Sequence, residues 1–208
     1  MMVFYLQGVL GFSPITAGIL LIPTSVAISV LGPLSGWLSD RYGARLFASS
    51  GAIVNGVAFL LLTQEPGKLN YLLFFVPLVL LGAGFGLFSS PNRSETLSSV
   101  PPSRRGVAGG TNSTMMNVGT LLSLGVSIVI IAASVPHSVI VSVFDGVQPP
   151  PGSSSGFTIG SFMSGLHNVY YISAALSFAA VFVTLIGYKQ AKEHRYELMV
   201  ESEPEEVV

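Results

Sequence analysis

Long apolar stretches alternate with short polar ones along this chain, and five of the apolar stretches approach or exceed the length of a membrane span. A helix needs about 20 residues to cross roughly 30 Å of hydrocarbon. The pattern predicts spans at 16–38, 46–64, 70–90, 107–134 and 168–188, and a partial span at 1–10. The predicted fold is therefore an all-α polytopic membrane protein with five full transmembrane helices plus a half helix.

Composition supports a membrane protein and excludes several other classes. Only 9% of the 208 residues are charged, whereas soluble domains carry about 25%. No cysteine is present, which excludes disulfides, cysteine-ligated zinc and thiol catalysis. The three histidines stand far apart in the sequence, and no basic stripe suits nucleic acid. The chain is predicted to be no enzyme, to hold no cofactor or metal, and to bind no nucleic acid.

The basic residues predict the orientation of the helices. If the spans alternate in direction, eight of the nine Lys and Arg residues fall on one side and Lys68 on the other. The positive-inside rule makes the eight-residue side cytoplasmic. We therefore expect a multi-pass protein of the cell membrane with an outer loop at 133–167. The segment 189–208 becomes a cytoplasmic, acidic tail.

The segment Gly36–Arg45 holds the one tight cluster of charge in the first 60 residues and lies between two predicted spans. Its Gly-x-Leu-x-Asp-Arg-x-Gly-x-Arg pattern resembles the loop signature of the major facilitator superfamily of secondary transporters. The alternative is a generic basic cytoplasmic loop, which explains the two arginines. That alternative does not explain Gly36, Asp40 and Gly43 at their spacing.

Three further segments, 5–18, 99–110 and 164–170, are similar to the drug–proton antiporter branch of this family, whose members have fourteen helices. The resemblance implies the C-terminal six-helix bundle alone, with an N-terminally truncated first helix. The N-terminal bundle would be a separate chain or absent. The implied function is the C-terminal part of a proton-coupled multidrug or small-molecule efflux transporter, incomplete alone. The alternative is a non-transporting membrane scaffold or a decayed gene fragment.

The resemblance assigns gating roles to residues at the cytoplasmic ends of the helices. Asp40 would lock the opposite bundle by approaching a helix N-terminus there. The alternative for Asp40 is a solvated acid that pairs with Arg41 or Arg45. If they do not pair with Asp40, the two arginines would contact lipid phosphate or only set the topology. Glycines at 32–36 and 82–86 predict close helix packing. The gating candidates are Gly36, Asp40, Arg41, Gly43, Arg45, Arg104, Arg105 and Gly106.

In this family the first and fourth helices of each bundle line the transport path, with the second and fifth beside it. Aromatic and Met side chains there would suit amphipathic small molecules. The alternative for each residue is contact with lipid or with another helix. The cavity candidates are Tyr5, Gln7, Phe75, Phe85, Phe88, Met116, Thr120 and Ser123.

The expected partners are membrane lipid, the amphipathic substrate, the missing N-terminal bundle and a weak homodimer. In that dimer Asp40 of one copy approaches Arg105 and Gly106 of the other. No acidic or basic residue is predicted deep within a span, and Glu95 is placed in a loop. The sequence therefore shows no intramembrane carboxylate of the kind that relays protons.

Overall fold

The computed structural model describes residues 2–64, 71–134 and 155–202, and all the regular elements in these ranges are helical. A short helix α1 (Met2–Phe4) continues into a π-helical turn (Tyr5–Val9). The long helices are α2 (Pro14–Tyr42), α3 (Ala44–Leu62), α4 (Tyr71–Ser98), α5 (Arg105–Ser134) and α6 (Ser155–Ser202). Within these described ranges, five helices are long and apolar enough to cross a membrane. The prediction of an all-α polytopic membrane protein is confirmed.

Two helix boundaries differ from those predicted. Helix α4 continues to Ser98 rather than ending at residue 90, so Glu95 lies on a helix and the prediction of a loop there is wrong. Helix α6 begins at Ser155, and its apolar span is Gly160–Gly187, so the predicted loop at 155–167 is helical. The remainder of that predicted loop, 135–154, lies outside the described residues. Residues 203–208 of the predicted tail lie outside them too.

Local sequence accounts for the boundaries of α2. The Ser13 side-chain oxygen accepts a hydrogen bond from the Thr16 backbone N–H at 3.2 Å, and Pro14 occupies the first turn. Both features favour a helix start. At the other end Gly43 is the single residue between α2 and α3. Its φ of +93° and its N–H bond to the Ser39 carbonyl at 2.9 Å form the tight turn expected there.

The hydrophobic core closes one end of the bundle. Its members come from the π-helical turn, from the starts of α2 and α4, from the ends of α3 and α5, and from residues 162–170 of α6. The largest of its fully buried side chains include Tyr5, Leu62, Phe74 and Leu166. By the alternation of the spans this is the end predicted to face outside.

Helices α2 and α4 pack along a seam of backbone contact. A Cβ added at Gly82 would overlap the Thr24 carbonyl oxygen, and one added at Gly86 would lie 3.0 Å from the Gly32 nitrogen. The Ser35 hydroxyl donates to the Gly86 carbonyl at 2.9 Å. Small residues therefore let the two backbones touch, as the glycine spacing predicts.

The opposite face of α4 packs against α3 in the same manner. A Cβ at Gly84 would lie 2.6 Å from the Asn55 side-chain oxygen, and one at Gly51 would lie 2.6 Å from the Phe88 nitrogen. Helix α3 in turn contacts α6, where the Phe178 ring covers Gly56. Helix α4 is therefore the centre of the bundle, held on both sides at its backbone.

Candidate functional site

Helix α5 is buried in the bundle only near its C-terminal end, within the part of the chain that the structure describes. Its buried residues are Ser127 and Ile131, whereas the side chains from Arg105 to Val126 are exposed or half-buried. The gap left between this part of α5 and α4 forms a cavity of about 1170 Å³. Gly32 of α2 lies in its wall. The cavity is therefore bounded by α2, α4 and α5.

The cavity wall combines apolar and polar side chains. The apolar residues are Phe85, Phe88, Leu97 and Met116. The polar residues are Ser89, Ser90, Asn92, Ser94, Thr96, Asn112, Thr120 and Ser123, and the charged residue is Arg93. Ligand pockets in proteins usually enclose about 300–1,000 Å³. The volume of about 1170 Å³ lies slightly above this range, and the mixed lining offers both apolar contacts and hydrogen bonds to an amphipathic molecule.

Helical periodicity explains why these residues share the cavity. On α4 the positions 85, 88, 89, 92, 93 and 96 recur every three or four residues and so lie on one face. On α5 the cavity face carries Asn112, Thr120 and Ser123. The opposite face of α5 carries the exposed Val118 and Leu121. Helix α5 is therefore amphipathic, with its polar face toward the cavity.

The structure brings five of the eight cavity candidates to this cavity: Phe85, Phe88, Met116, Thr120 and Ser123. The other three lie elsewhere. Tyr5 is 2% exposed in the core, with its ring centroid 6.2 Å from that of Phe74. Phe75 lies one helical turn after Tyr71 on α4, and the centroids of the two rings are 5.9 Å apart. Gln7 belongs to the π-helical turn and does not line the cavity.

The cavity also includes residues that sequence reasoning did not place there, namely Asn92, Arg93 and Asn112. Arg93 is one of the eight basic residues that set the predicted orientation, and Asn112 was not among the cavity candidates. The signal for Arg93 was its spacing of four and eight residues from Ser89 and Phe85. That signal was usable only if α4 continued past residue 90 as a helix.

The gating candidates lie at the end of the bundle away from the core. Asp40, Arg41 and Arg45 are exposed around the Gly43 turn, and the Arg41 guanidinium lies 5.7 Å from the centroid of the Tyr42 ring. In the part of the chain that the structure describes, no ion pair joins Asp40 to either arginine. The lock between Asp40 and a second bundle stays a prediction.

The remaining gating candidates occupy two different surroundings. Arg104 and Arg105 are exposed where α5 begins, and a Cβ at Gly106 would meet nothing within 4 Å. Gly36, by contrast, faces α4, where a Cβ would lie 2.8 Å from the Ser90 hydroxyl oxygen. Gly36 therefore allows α2 and α4 to pack closely. Arg104, Arg105 and Gly106 are exposed and accessible to another surface.

A second, smaller cavity of about 390 Å³ lies between α4 and α6. Glu95, Val183 and Thr184 line it. Phe88, Asn92 and Thr96 of α4 belong to both cavities. Among the described residues, no group of three His, Asp or Glu side chains could hold a metal ion.

Comparison with known proteins adds a family match. The sequence profile of the Major Facilitator Superfamily matches residues 1–144. The chain is 39% identical over 119 residues to the uncharacterized transporter YebQ of Escherichia coli, covering 56% of this chain and 25% of YebQ. It is 30% identical over 184 residues to the riboflavin transporter RibZ of Clostridioides difficile, covering 88% of this chain and 37% of RibZ.

A further relative is the multidrug resistance protein Stp of Mycobacterium tuberculosis. It is 30% identical over 129 residues, covering 62% of this chain and 24% of Stp. The chain thus spans between about a quarter and two fifths of the length of these curated relatives.

Proposed function

Because the chain belongs to the major facilitator superfamily, we propose that it forms one wall of a path by which amphipathic small molecules cross the membrane. The observation that carries the proposal is the cavity of about 1170 Å³ between α4 and α5. Its aromatic and Met side chains accommodate flat apolar groups, and its amide and hydroxyl groups orient them.

The names of the relatives favour small-molecule cargo. RibZ is named a riboflavin transporter and Stp a multidrug resistance protein. We propose efflux driven by the proton gradient, which rests on the resemblance of 5–18, 99–110 and 164–170 to the fourteen-helix antiporters. The proton-binding residues would then belong to the rest of the transporter or to Glu95, the acidic residue beside the second cavity.

A second bundle would supply the opposite wall of the path. In this kind of transporter the substrate site lies between two repeats that rock against each other. The relatives are much longer than this chain, and the exposed half of α5 leaves the cavity open at its side. The second bundle would be part of the same polypeptide or a separate chain.

We propose that the protein resides in the cell membrane with the connection between α4 and α5 in the cytoplasm. Because the chain contains no cysteine, single cysteines report orientation directly. A cysteine at Ser103 should react with an impermeant maleimide only from the cytoplasmic side, and one at Ser154 only from outside. The reverse pattern would invert the proposed orientation.

A water-filled cavity can be tested by comparing two positions on α5. Ser123 faces the cavity, and Leu121 is 69% exposed on the other face of the helix. In lipid nanodiscs, Ser123→Cys should react with a water-soluble maleimide much faster than Leu121→Cys, because thiols facing lipid remain protonated and shielded from water. Equal rates for the two variants would contradict the cavity.

Transport itself is tested in liposomes. The chain alone is expected to produce no gradient-dependent accumulation of a fluorescent amphipathic dye, because one wall of the path is provided elsewhere. Robust accumulation that protein-free vesicles lack would contradict the need for a second bundle. In either case the labelling of Ser123→Cys tests the cavity independently.

A further inference from the structure

The charge of the residues that line the cavity restricts which ligands it can bind. Of the fifteen residues that line it in the described part of the chain, Arg93 alone carries a charge. The acidic residue next to it on α4, Glu95, lines the second cavity. Two helical residues separated by one position do not face each other, so Glu95 points away from the side of α4 that carries Arg93. Among the described residues, the cavity lining therefore carries one positive charge and no negative charge, and the Arg93 side chain is exposed.

The apolar groups lie at a defined distance from this charge. Phe85 precedes Arg93 by eight residues of α4, which corresponds to about 12 Å along the helix axis. Along α4, Phe88 lies between Phe85 and Arg93, and Asn92 directly precedes Arg93. Asn112 and Met116 line the same cavity from α5. A ligand that contacts both ends would be elongated, with one polar terminus.

We propose that this cavity selects amphipathic molecules that carry one anionic group and a flat apolar body. The anion, a carboxylate, sulfonate or phosphate ester, binds the Arg93 guanidinium near the connection between α4 and α5. The apolar body lies against Phe85, Phe88 and Met116. A guanidinium group is suited to this task because it offers several N–H donors in a planar fork that matches such anions. The inference rests on the proposed function and adds a preference of charge to it.

An anionic phospholipid presents the same chemistry as a small amphipathic anion. Arg93 lies close to the end of α4, where a lipid phosphate is within reach of a basic side chain at the membrane surface. The shared ligand class is therefore an amphipathic anion, and the experiment distinguishes its two sources.

The test measures binding of a matched pair of probes, pyrenesulfonate and pyrenemethylammonium, to the full chain in phosphatidylcholine nanodiscs. Binding to empty nanodiscs is subtracted. The anionic probe should bind at least about tenfold more tightly than the cationic one, as expected for one charge-assisted contact. Arg93→Gln should remove this difference, and Arg93→Lys should retain most of it. Arg195→Gln removes the same charge from α6 and should leave the difference unchanged.

The outcomes separate this inference from the proposed function. Equal binding of the two probes to the unmodified chain overturns the charge preference and leaves an amphipathic cavity in place. Failure of both probes to bind above empty nanodiscs contradicts the charge preference and the proposed cavity together. Equal loss of selectivity in Arg93→Gln and Arg195→Gln also overturns the role of Arg93, because the effect would then follow net charge.

The lipid composition identifies the source of the anion. Repeating the titration in nanodiscs that contain phosphatidylglycerol should leave probe binding intact if the cavity takes small molecules. Displacement of the anionic probe by phosphatidylglycerol, in the unmodified chain and in Arg195→Gln alike, would assign the same site to the lipid. Both results support an amphipathic anion at Arg93.

Discussion

Helix α4 has two very different neighbours. Toward α2 and α3 its glycines touch backbone, so that a Cβ at Gly82 or Gly84 would overlap atoms of the facing helix. Toward α5 it borders a cavity of about 1170 Å³. Glycines on α5, such as Gly119, have nothing within 4 Å of an added Cβ. Glycine therefore permits close helix packing where α4 meets α2 and α3, whereas the glycines of α5 border open space.

This difference separates the parts of the chain that hold the bundle together from the part that forms the cavity. The three helices α2, α3 and α4 share contact at the backbone level, which small residues permit in a membrane. Helix α5 is held to the bundle by contacts near Ser127 and Ile131, at the end of the bundle that contains the hydrophobic core. Substitutions on the two sides of α4 should accordingly have different consequences.

The largest effect is expected from Gly82→Ala. The new methyl group would overlap the Thr24 carbonyl oxygen and lie 2.8 Å from the Ala27 Cβ, so α2 and α4 would have to separate. Overpacking of this kind costs up to about 3 kcal/mol of unfolding free energy. The measurement is reversible unfolding in detergent micelles, followed by fluorescence of the single tryptophan, Trp37 on α2.

The matched control is Gly119→Ala on α5. Open space around this position and the higher helix propensity of alanine predict an unfolding free energy that is unchanged or raised by up to about 1 kcal/mol. If the two variants lose equal stability, the contrast between the two sides of α4 is mistaken.

A smaller effect is expected from Ser35→Ala. Ser35 is 1% exposed, and its hydroxyl hydrogen bonds to the Gly32 carbonyl of its own helix and to the Gly86 carbonyl of α4. Hydrogen bonds between membrane helices contribute about 0.6 kcal/mol on average. The loss should be of this size in the same unfolding assay.

Ser39→Ala provides the control for that measurement. Ser39 is also buried, but among the described residues its hydroxyl bonds only to the Gly36 carbonyl on the same helix. The difference between the two serine variants isolates the bond across the seam. No difference would mean that this bond adds nothing to the packing of α2 on α4.

The smallest effect concerns a homodimer, which would bring the exposed Asp40 of one copy to the start of α5 in another. An exposed ion pair contributes only about 0–1 kcal/mol, so association should be weak. Cysteines at Asp40 and Gly106 should cross-link between copies faster than a control pair at Ser50 and Leu185. Equal rates for the two pairs would mean that the exposed start of α5 has no partner in a second copy.

The sequence predicted the helices best where apolar length dominates. The spans of α2, α3 and α5 correspond to long apolar runs, and a run of this length has few alternatives in a membrane. The start of α6 was missed because Ser155, Gly156 and Gly160 are typical of loops. Packing of Phe162 and Leu166 into the core stabilises helix there, and such tertiary contacts are not visible in local composition.

The candidate site was predicted in part for the same reason. Phe85 and Phe88 are recognisable once α4 is identified as a central helix. The extension of α4 through Pro91 to Ser98 was not predicted, since proline and charged residues usually end a span. Arg93 entered the cavity only through that extension. The sequence does not distinguish Tyr5 and Phe74 from aromatic residues that line a cavity. Their packing against each other in the structure assigns them to the core.

The open space beside α5 affects which substitutions such a protein can accept during evolution. Side chains such as Met116 and Thr120 border open space, so a substitution there alters the surface offered to a ligand while the glycine contacts of α4 remain as they were. New specificities can then arise through single steps that each leave a folded intermediate. The bundle would keep its architecture while its descendants diverge in what they recognise.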